Sequence, residues 1–369
     1  MPTVERLSTR ALNRALLARQ LLLRRQDRRP LEVIEHLVGL QAQEPRDPYL
    51  ALWSRLDPFD PAEVEQLLES RAVARAPLMR TTIHLATARD CLAIRPLVQP
   101  ILDRAQRSNF ARRLAGADVD ALAAAGQRIL EQRPRTFAEL RAHLGEDWAG
   151  YDPQAVAYSV SYLVPLVQLP PRGLWTRGGQ ATWTTTERWL GRLPKRDAAS
   201  LDELVRRYLA AFGPATARDV QTWCGLTGLA EVIDRLRPDL VTFVDENGAE
   251  LVDLPDAPRP DPDTPAPVRF LPQYDNVFLS HADRSRIVSE QTRGRAQAPN
   301  GRVSTLLVDG FIAALWRLER SRRAAVLHVL PLERWSKRTR ATVEDEATRF
   351  LAFAAADAET RDLEFVTAF

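Results

Sequence analysis

Few residue types in this 369-residue chain suit covalent catalysis, and their spacing narrows the field further. Lysine occurs only at positions 195 and 337, inside the basic stretches LPKRD and SKRTR, so imine-forming chemistry has just two candidate nucleophiles. Cys91 and Cys224 are too far apart in sequence to form a CxxC metal site, and two cysteines make no disulfide framework. His36, His84, His143, His281 and His328 are scattered without ligand spacing, and neither GxGxxG nor GKS occurs. No metal and no organic cofactor is therefore expected. Arginine is the abundant functional type, supplying all the remaining cations among 51 Lys+Arg. In one stretch Arg172, Trp175, Arg177 and Arg188 mix cations with aromatic rings, a combination suited to phosphates and bases. In another, Arg284, Arg286, Arg293, Arg295 and Arg302 face only Asp283 and Glu290. Flanking strand-like runs make residues 284–302 an expected extended hairpin, either a finger that enters a DNA groove or a solvated loop.

The elements that must position these groups follow from composition and pattern. A length of 369 residues suggests two or three domains, and 45% hydrophobic residues suit a globular protein. The longest uncharged run, residues 153–171, carries prolines and glutamines unsuited to a membrane span, and residues 1–14 show no secretory pattern. A soluble, cytoplasmic protein is expected. The net charge of +3 hides an asymmetry: residues 1–85 carry +2, 86–200 carry +5, 201–265 carry −7 and 266–369 carry +3. A basic body with one acidic segment hints at a polyanion-binding face.

Periodicity then divides the chain. Ser8, Pro30 and Asp60-Pro61 announce three short helices, and MRTTIHLAT reads as a strand after them, which is winged-helix order. Thr136 and Glu139 form a capping box that opens a second unit, with a further helix at Asp152-Pro153 and a hairpin around Gly178-Gly179. Eighty residues on, Thr216 and Asp219 repeat the cap, followed by a hairpin with Asn247-Gly248 at its tip. The Pro/Asp-rich segment 255–267 is a linker to a region of short apolar runs closed by a helix. The expected fold is α+β: three tandem winged-helix units forming a concave cradle, over residues 1–90, 91–198 and 199–256, and a β-rich, small barrel-like domain over 257–369. Such an array binds duplex DNA without dimerising, so a monomer suffices; winged-helix units also serve as protein scaffolds.

The segments VGLQAQEPRDPYLALWSRL (38–56), MRTTIHLAT (79–87), FLPQYDNVFLSHADRSRI (270–287) and the VDG-x5-W element at Val308 to Trp316 resemble the bacterial winged-helix DNA glycosylases of the AlkZ and YcaQ type. The resemblance covers nearly the whole length. It implies that Gln41 and Gln43, in the Gln-x-Gln form of the AlkZ branch, are the catalytic pair; Glu44, Asp47 and His84 are nearby auxiliary candidates, with Glu44 or Asp47 the first choice for a carboxylate base. The basic finger would take the place of a hairpin needed for activity in that family. It also implies a substrate class, double-stranded DNA carrying N7-alkylated purines, including bulky adducts and interstrand crosslinks, in repair or antibiotic self-resistance. An N7-alkylpurine is cationic, so its glycosidic bond is primed to break with little general-acid help, and an amide can both position water and present a dipole. With so few lysines, a monofunctional hydrolase fits better than a lyase. Apart from the resemblance, Gln-Ala-Gln is an unremarkable peptide, and a non-catalytic winged-helix DNA-binding regulator is the alternative the residues leave open.

Overall fold

The computed structural model describes residues 4–192, 199–296, 304–321 and 323–369. In the first unit α1 (Thr9–Arg19) is capped by Ser8, whose side chain accepts from the Ala11 N–H, and α2 (Pro30–His36) opens on its proline. They are followed by β1 (Leu40–Gln41), α3 (Asp47–Trp53), Asp60-capped α4 (Pro61–Glu69), β2 (Val73–Pro77) and β3 (Ile83–Thr87). The expected strand over MRTTIHLAT is only half right. Residues Met79–Thr81 form a tight turn in which Arg80 (φ 53°) and Thr81 (φ 62°) take the left-handed conformation, because the chain must reverse there for β2 and β3 to pair antiparallel.

The second unit comprises α5 (Ala88–Leu97), α6 (Gln99–Phe110), α7 (Val119–Gln132), β4 (Arg135–Thr136), α8 (Phe137–Leu144), α9 (Pro153–Leu163), β5 (Leu166–Gln168), β6 (Thr182–Thr185) and α10 (Thr186–Leu190). The Thr136/Glu139 capping box forms as the sequence requires. One sheet, in the order β1-β3-β2-β5-β6-β4, runs through both units and is joined where Arg75 lies opposite Gln168. The third unit contains α11 (Leu201–Phe212), α12 (Ala217–Cys224), α13 (Leu229–Leu236) and the hairpin β7 (Val241–Val244) to β8 (Glu250–Asp253). Its Thr216/Asp219 capping box also forms, and α12 stops at Gly225, whose φ of 86° a side chain would oppose. Helix α11 packs in the largest core, where Tyr208 and Phe212 stack 5.1 Å apart beside Trp223.

The C-terminal part contains β9 (Arg269–Leu271), α14 (Asn276–Leu279), β10 (Ser304–Val308), β11 (Phe311–Arg320), β12 (Ala324–Pro331), α15 (Lys337–Ala354) and β13 (Thr360–Phe365). The expected barrel is not there: the sheet is open, in the order β13-β12-β11-β10-β9. Closure is unnecessary because both faces are covered. Phe270, Leu306, Trp316 and Val329 pack against Phe350 of α15, while Leu307, Ile312 and Leu315 join the large core. The crossover through α15 returns β13 parallel to β12 at the far edge, away from β9.

Arginines hold these parts together. Arg55 pairs bidentately with Asp275 (2.8 Å for both bonds) and Arg19 with Asp253 (2.7 Å for both), all four side chains being buried. The proline-rich linker is laid along α1, whose Arg10, Arg14 and Arg19 donate to the Pro262, Thr264 and Pro258 carbonyls. Among the described residues no helix is long and apolar enough to cross a membrane.

Candidate active site

The Gln41-Ala42-Gln43 segment is fixed by backbone bonds on two sides. The Ala42 N–H donates to the Ile83 carbonyl at 2.7 Å, and the Ala42 carbonyl accepts from Arg75 Nη2 at 2.8 Å. Pairing of β1 with β3 sets Gln41 opposite His84, so both side chains project from the same face of the sheet. Gln41 is only 6% exposed, and its Oε1 accepts from Arg80 Nη2 at 2.8 Å. A guanidinium only donates, so the amide oxygen must face Arg80 and the NH2 must face away. Arg80 also donates to the Trp223 carbonyl, which ties the Gln41 amide to the third unit. Burial lowers the Arg80 pKa to about 10 and leaves it charged.

Gln43 differs in every respect. It is exposed, and its Oε1 lies 3.5 Å from the Ile83 N–H, too long for a firm bond. It lines a cleft of about 200 Å³ together with Thr81, Gln168, Tyr158, Tyr162 and Trp183, so the first and second units both contribute walls.

The auxiliary candidates separate by environment. His84 is buried, and burial followed by the Arg80 charge depresses its pKa to about 3, leaving a neutral ring at neutral pH. Its Nδ1 lies 3.0 Å from the Thr82 carbonyl, so that nitrogen carries the proton and Nε2 the lone pair. Asp47, the first residue of α3, is 7% exposed with no partner for Oδ2. Burial, with smaller contributions from Glu44 and Asp275, raises its carboxyl to about 8, so it is mostly protonated at neutral pH. A carboxylate base at neutral pH is therefore a poor assignment for Asp47. Glu44 is exposed beside the motif.

The DNA glycosylase AlkZ-like family matches this sequence over residues 34–353. The chain belongs to that family. Its α+β fold is similar to that of Streptomyces sahachiroi DNA glycosylase AlkZ, with a TM-score of 0.76, 18% identity, and coverage of 98% of this chain and 100% of that one. No curated protein matches the sequence. As an AlkZ-like DNA glycosylase the protein acts on DNA, which gives the placement of its cations a meaning.

One arginine expected to meet DNA turns fully inward in this AlkZ-like chain. Arg286 is buried and donates to the Pro214 carbonyl at 2.9 Å near Asp219, so it is part of the interior and not of a DNA-facing surface. The basic finger is likewise no hairpin over its described part. Residues 284–296 form helical turns, with Val288 N–H donating to the Arg284 carbonyl and Arg293 N–H to Ser289, because Ile287, Val288, Thr292 and Ala296 bury their side chains against the body. Arg284 lies over the Phe278 ring, and Arg293 and Arg295 are exposed; Arg295 reaches the Leu332 carbonyl. Arg302 falls outside the described residues.

In the middle unit Trp175 is half-buried, stacked 5.2 Å from Phe353 and covered by Arg46, which makes it a strut between the first unit and α15. Arg172 is half-buried and donates to the Gly179 carbonyl, Arg177 pairs with Glu69 at 2.9 Å, and Arg188 reaches the Glu131 carbonyl. Arg80 and the Phe137, Tyr158 and Trp183 rings were not legible as site residues. Only the pairing of β3 with β1 and the junction of the two units bring them to Gln41 and Gln43. The one available signal was a tyrosine in α9 that falls outside the Val156, Val160, Leu163 and Val164 stripe.

Proposed function

We propose that this DNA glycosylase hydrolyses the N-glycosidic bond of cationic N7-alkylated purines in duplex DNA and leaves an abasic site, with Gln41 and Gln43 as the catalytic amides. The observation that carries this reading is the unequal state of the two glutamines. Gln41 is oriented by Arg80 so that its NH2 is the group left to interact, whereas the Gln43 carbonyl is uncommitted at the cleft and available to hold a water. A leaving base that is already cationic departs as a neutral molecule, and the sugar acquires oxocarbenium character. Such a reaction needs a positioned nucleophile and a suitable dipole more than a strong acid. The neighbours agree with that demand, since His84 is held neutral and Asp47 is mostly protonated at neutral pH.

Bulky N7 adducts and crosslinks joined through N7 are the same chemistry with a larger substituent, and the cleft walls at Gln43 are open to solvent. Release without strand cleavage is supported by the scarcity of lysine: Lys337 is exposed at the start of α15, and Lys195 lies outside the described residues. DNA contacts are assigned to Arg293, Arg295 and the half-buried Arg172 and Arg284, with one chain sufficient for the duplex. The test is incubation with a duplex carrying a single N7-methylguanine. Free base and an alkali-labile abasic site are the expected products; no release from any N7-alkyl duplex would refute the reading.

A further inference from the structure

We infer that the cleft beside Gln43 is a stacking site for a nucleobase rotated out of the duplex, with the ring of Tyr158 as its platform; this rests on the reading of the protein as a base-releasing enzyme at Gln43. Tyr158 is 40% exposed, although it is a large aromatic residue on a helix whose other apolar residues are mostly buried. Its ring is the outer member of a ladder. Phe137 lies 5.0 Å from Tyr158, and Trp183 lies 5.1 Å from Phe137. This ladder stands between two adjoining hollows of about 200 and 290 Å³ that share Phe137 and Tyr158. Gln43 lines the first, and Arg141 and Gln154 line the second.

Each of these features suits a planar heterocycle still attached to its backbone. An open aromatic face stacks any base, because every base has a π-face. Trp183, 4% exposed, backs Phe137 from within the cleft wall and so supports the platform. Arg141, exposed at the outer hollow, stands where the phosphates flanking a displaced nucleotide would need a cation. Gln43 on the inner wall would then meet the sugar of the stacked nucleotide.

The experiment uses the full chain, Tyr158→Ala and Tyr158→Phe, and two duplexes, one perfect and one with a single 2-aminopurine bulge. Stacking predicts that wild-type protein quenches the 2-aminopurine and prefers the bulged duplex. Tyr158→Ala should weaken that binding about tenfold or more and leave the probe bright, Tyr158→Phe should behave as wild type, and affinity for the perfect duplex should not change. Equal quenching by wild type and Tyr158→Ala, or an equal loss of affinity for both duplexes, would overturn the inference. Base release separates it from the reading it rests on. Wild type that stacks the probe but frees no N7-methylguanine refutes the function alone, whereas wild type that frees the base as fast as Tyr158→Ala refutes the stacking site alone. A Tyr158→Ala defect confined to duplexes with an aryl group on N7 would assign the cleft to that substituent and overturn the nucleobase as occupant.

Discussion

Two hollows in this molecule differ in size and in charge, and charge is the better guide to which one meets DNA. The larger, about 490 Å³, lies between α1, the third unit and residues 282–286, and its wall sets Asp219, Asp245, Glu246 and Asp283 against Arg218 and Arg286, leaving it net acidic. The smaller, at Gln43, is walled by amides, hydroxyls and aromatic rings with no carboxylate among its lining residues. A polyanion is repelled by the first and tolerated by the second. Part of the negative charge of residues 201–265 is also spent internally: Asp253 pairs with Arg19 and Arg259, and Asp219 caps α12 and accepts from the Ala282 N–H. These two buried carboxylates of the acidic unit thus serve the architecture and not the surface potential.

The largest effect expected from this contrast is at the smaller hollow. Replacing both Gln41 and Gln43 with Ala removes the held amide and the uncommitted one, and base release should fall about 10²- to 10³-fold in single-turnover assays while duplex affinity stays within about twofold. Retained activity would move the chemistry away from this cleft. Arg80→Ala should lower the single-turnover rate on the order of tenfold by freeing the Gln41 amide to rotate, with substrate affinity little changed and partial recovery in Arg80→Lys. An equal loss in Arg80→Lys and Arg80→Ala, or an effect on affinity alone, would contradict a positioning role.

Asp47 offers a smaller, pH-dependent difference. Its folded-state pKa of about 8 lies above the ordinary 3.8, so the folded chain keeps a proton that the unfolded chain releases. Stability is favoured below about pH 4 and is lost progressively as pH rises toward 8. Asp47→Asn should therefore raise Tm by more at about pH 8 than at about pH 5, and a gain independent of pH would show the carboxyl to be solvated. The smallest effect sharpens the comparison from the other side. Asp245→Asn with Glu246→Gln in the larger hollow should change base release by less than about twofold, and a greater change would bring that wall into contact with DNA.

Local chemistry made much of the fold legible. The caps at Ser8, Asp60, Thr136, Asp152 and Thr216, the proline opening α2 and the Asn247-Gly248 hairpin all form where the residue types demand, because each depends on contacts within a few positions. Arg286 and Trp175 were misjudged for the opposite reason. A cation or an indole in a polar stretch has the same local signature whether it meets solvent or a distant carbonyl, and these two meet Pro214 and Phe353. The barrel expectation failed similarly: short apolar runs specify strands, but whether the sheet closes depends on what covers its faces.

The sequence by itself determined the helix starts at Ser8, Pro30, Asp60, Thr136, Asp152 and Thr216, the α+β class and the charge asymmetry, and its motifs taken together pointed to the family to which the chain belongs. Tertiary structure alone decided which glutamine is held and which is uncommitted, which arginines lie inside, and that four aromatic rings line the cleft beside Gln43. The division has a physical cause. Turns, caps and periodicity are governed by neighbours along the chain, whereas the orientation of an amide, the ionisation of Asp47 and the exposure of Tyr158 are set by groups that only packing brings within reach.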